Sequence, residues 1–190
     1  MASLQTRVVN ILKSPATEWP VIAAEPTDVG TLYREYILIL SAIPLVASFI
    51  GYSIIGVTMP FTGPYRRPMV DGVSLMIASY VMGLIGVYVS AMVIEWLAPK
   101  FGSSGSRVDA LKLVAYASTP MWVAGALNVL PMLGVLSLLA ALYGIYLFYL
   151  GLPVMMKTPA DQVVGFMVVA AVVMLVVSLV MTSISGAMAV

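Results

Sequence analysis

Between Pro131 and Pro153 the sequence contains 23 consecutive residues without a charged side chain. As a single α-helix this stretch is roughly 34 Å long, which is enough to cross the hydrocarbon core of a bilayer with some tilt. A short polar connection follows, and a second charge-free apolar run then continues from Val163 to the C-terminus. Two such runs in close succession predict a pair of membrane-spanning helices.

The composition agrees with a protein built from several such helices. Of the 190 residues, 62% are hydrophobic and 9% are charged, whereas a soluble domain carries about 25% charged residues. The net charge of +1 indicates no nucleic-acid partner. Because the chain has no Cys and no His, it lacks the side chains for disulfides, thiol chemistry, histidine base catalysis and thiolate or imidazole metal sites.

The hydrophobic pattern predicts an all-α integral membrane protein with five transmembrane helices. The predicted spans cover about residues 31–55, 73–97, 108–128, 131–153 and 163–184, and they form a membrane domain over residues 31–190. Residues 1–30 precede this domain as a cytoplasmic segment. Thr119-Pro120 interrupts the third span, because a proline inside a helix removes a backbone hydrogen bond.

Charges in the connections predict the orientation of the spans. A cytoplasmic N-terminus puts seven basic residues on the inner side and leaves Arg66 and Arg67, in the longer loop 56–70, outside. This distribution follows the positive-inside rule, and five spans then bring the C-terminus to the far side. The inner basic residues are Arg7, Lys13, Arg34, Lys100, Arg107, Lys112 and Lys157.

The N-terminal residues 3–13 have the spacing of a short amphipathic helix. Leu4, Val8, Ile11 and Leu12 share one face, and the polar residues Arg7, Asn10 and Lys13 occupy the other. Such a helix either lies in the membrane interface with its apolar face down or packs on the cytoplasmic face of the protein itself. Residues 14–30, with three prolines, predict an irregular connection, and the Gly/Ser-rich linker 98–106 predicts a flexible one.

Two ionisable residues are expected just inside the membrane domain. Glu95 lies near the end of the second span and Lys112 near the start of the third, so antiparallel neighbours bring them to similar depth. Asp109 is also within helical reach of Lys112. Charges at this depth are costly unless they are paired. The pair is either an interfacial structural contact or a cytoplasmic gate.

Polar and small residues decorate the third and fourth spans. Thr119-Pro120 either improves helix packing or opens a broken helix of the kind that forms substrate sites. Tyr143, Tyr146 and Tyr149 step along the fourth span at three-residue spacing, so their hydroxyls spiral instead of sharing one face. Tyr143, nearest the middle, needs a buried partner, and the candidates are Asn128, Ser118, Thr119 and Ser137. These tyrosines predict either core contacts or a lining for lipid head groups or a small solute.

Enzyme chemistry finds little support in the sequence. Nearly all acidic residues lie at predicted membrane edges or in loops, and no two have a spacing that suggests a shared active site. The serines lack an acid–base set, and there is no phosphate-binding loop. The sequence therefore predicts no catalytic residue, no metal ligand and no cofactor.

Three motifs resemble the bacterial branch of the Yip family, which is named for Ypt/Rab-interacting proteins. The first is P-x3-W-x2-I-x2-E, formed by Pro15, Trp19, Ile22 and Glu25, and the second is Thr119-Pro120. The third and most specific is YGIYLFYLGLP at 143–153, followed by MKTP at 156–159. The resemblance covers nearly the whole chain.

The resemblance implies a five-span protein of the bacterial cytoplasmic (inner) membrane, with a cytoplasmic N-terminus and the C-terminus opposite. Eukaryotic relatives bind Rab-type GTPases and associate with one another. They carry a D-L-Y-G-P motif before the first span, which residues 28–33 (DVGTLY) do not reproduce. Rab binding is therefore not transferable to this chain, and the resemblance assigns no molecular activity to bacterial members.

These observations favour a non-enzymatic membrane protein that organises the membrane as a scaffold, through helix and lipid contacts. The candidate partners are membrane lipids and a second copy of the chain. The alternative is a small channel, transporter or lipid scramblase with a pathway near Thr119, Pro120, Tyr143 and Tyr146. The candidate signature or pathway residues are Pro15, Trp19, Glu25, Glu95, Lys112, Thr119, Pro120, Tyr143, Tyr146, Tyr149, Gly151 and Lys157.

Overall fold

A computed structural model describes residues 3–59, 63–130, 132–133 and 136–187, with side chains through residue 176. Pro131, the first residue of the fourth predicted span, and the last three residues lie outside this range, as do 60–62 of the predicted external loop. The described residues form nine α-helices and one small β-hairpin.

The helices follow one another with short connections. Helices α3 and α4 join through π-helical turns into one continuous helix, Val29–Ile55, and α5 and α7 each continue into a 3₁₀ turn. The elements are α1 Leu4–Lys13, α2 Pro15–Ala24, α3 Val29–Leu32, α4 Leu38–Phe49, β1 Val57–Met59, β2 Gly63–Tyr65, α5 Met69–Leu97, α6 Arg107–Ala117, α7 Thr119–Ala124, α8 Leu136–Met155 and α9 Val163–Ala187. The strands pair antiparallel, with Val57 opposite Tyr65.

Within the described residues, three helices are long and apolar enough to cross a bilayer: Val29–Ile55, Met69–Phe101 and Leu136–Met155. They correspond to the first, second and fourth predicted spans. A further apolar helix, Val163–Val176, corresponds to the start of the fifth. The helical membrane-protein architecture predicted from the sequence is therefore present.

The third predicted span, 108–128, is not one helix. Helix α6 ends at Ala117, and α7 begins at Thr119 and continues as a 3₁₀ turn, Gly125–Val129. Pro120 has no amide hydrogen for the preceding turn. The hydroxyl of Ser118 donates to the carbonyl of Val114 at 2.8 Å, and that of Thr119 to Ala115 at 3.4 Å. The predicted break at Thr119-Pro120 is confirmed.

Helix α1 begins after Ser3, whose hydroxyl accepts a hydrogen bond from the amide of Thr6, as is favoured at a helix N-terminus.

Residues 14–30 are more regular than predicted. After Ser14 the chain forms α2, with Pro15 at its first helical positions, where a missing amide hydrogen is tolerated. The prediction of an irregular connection is wrong over 15–24, because Pro15 starts a helix there and does not break one.

Helices α1 and α2 form a helical hairpin, residues 4–24, that we call the N-terminal hairpin. Helix α1 contacts α7, and α2 contacts α8. Ile11 and Trp19 are fully buried, and Leu4, Val8 and Leu12 pack against the same core. The apolar side chains of the hairpin are therefore part of the core of the helix bundle.

Two glycines of α8 allow other elements to approach its backbone. A Cβ atom at Gly151 would lie 2.6 Å from the Trp19 ring and 2.7 Å from a methyl group of Leu113. A Cβ atom at Gly144 would lie 2.9 Å from the carbonyl oxygen of Ala117. Both positions exclude a larger side chain unless the neighbouring helix moves.

The linker 98–106 is held in place and is not free. The Ser103 hydroxyl hydrogen-bonds the Thr158 hydroxyl at 2.8 Å, and the Ser104 amide donates to the Met156 carbonyl at 2.9 Å. Phe101 stacks on Phe166 with ring centroids 4.9 Å apart. The prediction of a flexible linker is wrong, because the connection between α8 and α9 supplies partners for its polar groups. We call this end of the molecule, formed by 98–106 and 156–162, the basal end.

We expect Gly151→Ala to lower the free energy of unfolding by about 1–3 kcal/mol, because the added methyl group overpacks the contact between Trp19 and α8. Thermal unfolding of the detergent-solubilised protein measures the change.

Gly83→Ala is the matched control, since a Cβ atom at Gly83 meets nothing within 4 Å. There the gain in helix propensity, up to about 1 kcal/mol, should leave the protein unchanged or slightly more stable. Equal behaviour of the two variants would contradict the seating of Trp19 on α8.

Candidate functional site

Arg7 lies at the centre of an ionic cluster between the two helices of the N-terminal hairpin. The residue is 2% exposed. One guanidinium nitrogen contacts the carboxylate of Glu18, and the other lies 2.5 Å from Oε1 of Glu25. Both carboxylates belong to α2 or to the residue that ends it. The ion pairs therefore hold α1 against α2.

Lys112 joins the hairpin to α6. The residue is 4% exposed, and its Nζ donates to the carbonyl oxygens of Ile22 at 2.9 Å and Glu25 at 2.6 Å. These carbonyls lie at the C-terminal end of α2, where the last turn leaves acceptors without helical partners. A cation at this end also interacts favourably with the helix dipole. Lys112 thus caps α2 and fixes the base of the hairpin.

The formal charges of this cluster balance. Arg7 and Lys112 contribute two positive charges, and Glu18 and Glu25 contribute two negative charges. Because charges are costly to remove from water, a buried group of this kind is stable only when each member has its partner. The cluster therefore specifies one position of the hairpin and penalises others.

Aromatic rings enclose the cluster on its inner side. The guanidinium carbon of Arg7 lies 5.9 Å from the ring centroid of Tyr116. Tyr116 packs against Tyr36 at 4.5 Å and meets Trp19 edge-on at 6.3 Å. Beyond them, the Tyr36 hydroxyl hydrogen-bonds Thr119 at 2.7 Å. Aromatic side chains therefore pack between the ionic cluster and Thr119.

The structure does not form the predicted pair between Glu95 and Lys112. Glu95 accepts a hydrogen bond of 2.6 Å from Nε of Arg107. Lys112 turns inward to the carbonyls at the end of α2, a helix in a segment predicted to be irregular. Asp109 caps the start of α6 with Ser106 instead of reaching Lys112.

The predicted pathway residues do not line one cavity. Thr119 and Pro120 are buried, with Thr119 directed toward Tyr36. Tyr143 donates a 2.7 Å hydrogen bond to the carbonyl oxygen of Leu12, a backbone partner that was not among the predicted side chains. Tyr146 and Tyr149 are exposed on the surface of α8.

The motif residues near the N-terminus and on α8 contact one another. Pro15 and Trp19 are buried on one face of α2, and Trp19 rests against Gly151. Glu25 holds Arg7 in the ionic cluster. Lys157 is exposed in the turn of the basal end, with a positive φ of 53°. The first and third motifs are therefore two sides of one contact, between the N-terminal hairpin and α8.

Arg7 and Glu18 were not identified as candidate site residues from the sequence. Arg7 was assigned to the polar face of α1, although it lies three residues after Leu4 and four before Ile11 and so shares their side of the helix. An arginine on the apolar side of a predicted helix, eleven residues before a glutamate, is the sequence signal that could have indicated this buried ion pair. Among the described residues, no group of three His, Cys, Asp or Glu side chains is placed to hold a metal ion.

Comparison with known proteins identifies the family of the chain. The family model described as the Yip1 domain matches residues 9–182. The chain belongs to the Yip1 domain family. The resemblance read from the three motifs is thereby confirmed. The match includes most of the N-terminal hairpin together with α8, so the contact between Trp19 and Gly151 lies inside the Yip1 domain.

Curated relatives come from Escherichia coli. Inner membrane protein YohC of strain K12 is 26% identical over 164 residues, which cover 85% of this chain and 84% of the relative. The protein of the same name from strain O6:H1 matches with the same identity and coverage. No solved structure matches the chain.

We expect Arg7→Met to destabilise this Yip1 domain by about 3 kcal/mol, because it leaves the buried carboxylate of Glu18 and the partly buried one of Glu25 without their cation. Arg7→Met combined with Glu18→Met should recover part of the loss, since neither charge then remains. Denaturant or thermal unfolding in detergent measures both variants.

Arg34→Met is the control, because Arg34 is exposed and makes a single long hydrogen bond, 3.4 Å, to the carbonyl of Gly30. Arg7→Met no more destabilising than Arg34→Met would show that the buried cluster does not hold the hairpin.

Proposed function

We propose that this Yip1-family protein is a non-enzymatic, multi-pass protein of the bacterial inner membrane that works as a scaffold through helix and lipid contacts. The E. coli relatives are named inner membrane proteins. The three long apolar helices support a membrane location. The further steps of the proposal concern how the chain crosses the membrane and what it contacts there.

In the proposed topology the chain crosses the bilayer five times. The crossings are Val29–Ile55, α5, the broken pair α6–α7, α8 and α9, and residues 1–30 precede them. The basal end faces the cytoplasm, because it carries Lys100 and Lys157 and is followed directly by Arg107, as the positive-inside rule favours. At the same end the Nζ of Lys100 lies 3.7 Å from the ring centroid of Trp96, and such amphipathic pairs are typical of a membrane interface.

The observation that carries the scaffold proposal is the filled centre of the bundle. Thr119, Tyr36 and Trp122 are buried against one another at the point where a broken helix would have to open for a central pathway. The outer surface of the bundle carries many exposed apolar side chains. On α8 and α9 they include Leu138, Leu139, Leu142, Ile145, Val164, Val168, Val172 and Leu175. Such a molecule offers its outer faces to lipid and to other helices.

Helix α5 has a small-residue face suited to another helix. Ser79 and Gly83, then Gly86 and Ser90, follow one another at four-residue spacing, which permits close approach of helices in a membrane. A Cβ atom at Gly83 or Gly86 would meet no atom of the chain within 4 Å, in contrast to the filled positions on α8. We propose that this face pairs with a second copy of the chain.

The alternative function, movement of a solute or lipid, finds support in one feature. Tyr146 and Tyr149 are exposed on the outer surface of α8. They favour a route along the outside of the protein, as lipid scrambling requires, over a central channel or transporter near Thr119 and Pro120.

We expect Gly83→Leu with Gly86→Leu to shift the purified protein toward the monomer, because bulky side chains prevent close approach of two α5 helices. Light scattering after size-exclusion chromatography measures the mass. Val81→Leu with Ile85→Leu serves as the control, since these exposed apolar residues of the same helix keep their character.

The same preparations are tested in proteoliposomes for solute flux and for lipid scrambling. The scaffold proposal predicts neither activity above empty vesicles. Saturable transport, or an oligomer that the glycine substitutions leave unchanged, would contradict it.

A further inference from the structure

The tip of the N-terminal hairpin lies beside the middle of α8. Tyr143, which hydrogen-bonds the Leu12 carbonyl at the end of α1, lies twelve residues before Met155, the basal end of α8. This separation corresponds to about 18 Å of helix. Helix α1 also contacts α7, which begins twelve residues after the start of α6. In the proposed membrane placement the tip therefore lies about halfway through a hydrocarbon core of about 30 Å.

Polar groups are exposed at this tip. Lys13, the last residue of α1, and Ser14, which joins the two helices, are both exposed, and so is Thr17 one turn into α2. On the neighbouring surface of α8, Tyr146 is 48% exposed. The ring centroid of Tyr146 lies 5.7 Å from that of Tyr143. The Tyr143 hydroxyl in turn donates to the carbonyl of Leu12, the residue before Lys13. Exposed lysine, hydroxyl and phenol groups therefore occur where the tip of the hairpin meets α8.

A lysine at this depth is costly in contact with acyl chains alone. Its side chain is too short to reach the basal interface from about 18 Å, so a polar partner has to come to it. Helix α2 begins at the same place. No side chain caps its N-terminus. Pro15 has no amide hydrogen, and the amides of Thr17 and Glu18 donate to the Ser14 carbonyl, so the amide of Ala16 is the donor left at the positive end of this helix dipole.

We propose that the tip of the N-terminal hairpin binds the phosphate of an anionic membrane phospholipid. Lys13 donates to the phosphate, the Tyr146 hydroxyl donates to a second oxygen, and the N-terminal turn of α2 faces the same group. The bound head group is drawn below the level of its neighbours on the flank of α8. This proposal rests on the membrane placement given under the proposed function.

The occupant is a lipid and not free phosphate, because the site lies on an outer surface bordered by apolar side chains. Leu142 and Ile145, on the same helix as Tyr146, are exposed there and suit the acyl chains that a phospholipid carries and inorganic phosphate lacks. The phosphate group satisfies the cation, and the chains cover the surrounding apolar surface.

The test is a titration of the full-length protein in detergent with dioleoylphosphatidylglycerol, followed by native mass spectrometry. Lys13→Ala should weaken lipid binding about tenfold, the effect of losing one hydrogen bond to a charged group. Tyr146→Phe should weaken it by a smaller factor, and Lys13→Arg should retain it. Lys157→Ala, which removes an exposed lysine at the basal end, should bind as the unaltered protein does.

Each other outcome overturns the proposal. Lys13→Ala with unchanged binding shows that Lys13 holds no head group, and equal losses in Lys13→Ala and Lys157→Ala indicate charge attraction without a site. Displacement of the lipid by inorganic phosphate shows a phosphate site. Should Lys13→Ala not fold, Lys13→Gln gives the same comparison.

A failure here is distinguishable from a failure of the scaffold proposal. The Lys13 variants should keep the oligomeric mass of the unaltered protein, whereas the α5 glycine variants change that mass and keep the lipid.

Discussion

The buried guanidinium of Arg7 is the constraint on which the rest of the structure depends. A positive charge removed from water needs its counter-charges at close range, and both of those used here, Glu18 and Glu25, come from α2 or its end. Helix α1 must therefore fold back along α2. Lys112 then binds the C-terminal carbonyls of α2, and Trp19 is pressed onto α8 at Gly151. The ion pairs fix the hairpin, and the hairpin fills the bundle.

The sequence predicts the long helices well because their signal is local. An apolar run without charges has few alternatives to a membrane helix, and Thr119-Pro120 interrupts its helix as the chemistry of proline requires. The N-terminal 30 residues are harder. Amphipathic spacing predicts that α1 is a helix, but not which element packs on its apolar face. Assigning Arg7 to the solvated face leaves out its ion pairs with Glu18 and Glu25. The prolines of 15–26 suggest irregular chain, although Pro15 occupies a position that favours helix.

Partner choice is the part that the sequence leaves open. Glu95 and Lys112 lie at similar predicted depth, yet Glu95 binds Arg107 and Lys112 binds backbone carbonyls. Tyr143 likewise finds a backbone carbonyl of α1 and not one of the predicted side chains. In each case the decisive group belongs to an element that is distant in sequence or was not predicted as a helix, so spacing alone carries no information about it.

In this chain, the motifs that identify the Yip1 domain family form contacts between helices of the same molecule. Trp19 and Gly151 make the contact between two elements, and Thr119-Pro120 ends the helix that lies against them. Residues so placed define the fold, whereas the function that we propose lies on the outer surface. The proposed roles of α5 and of the hairpin tip are both on that surface, where side chains can change without disturbing the interior.

The central claim is that the N-terminal hairpin is docked against α8 inside the membrane domain. Because the chain contains no cysteine, Ser14→Cys with Tyr146→Cys reports on this contact alone when intact membranes are treated with a short bismaleimide. The account predicts an efficient cross-link within one chain, and none for Ser14→Cys with Met69→Cys at the far end of α5. An uncross-linked chain with both cysteines reactive would contradict it, because α1 would then lie away from α8.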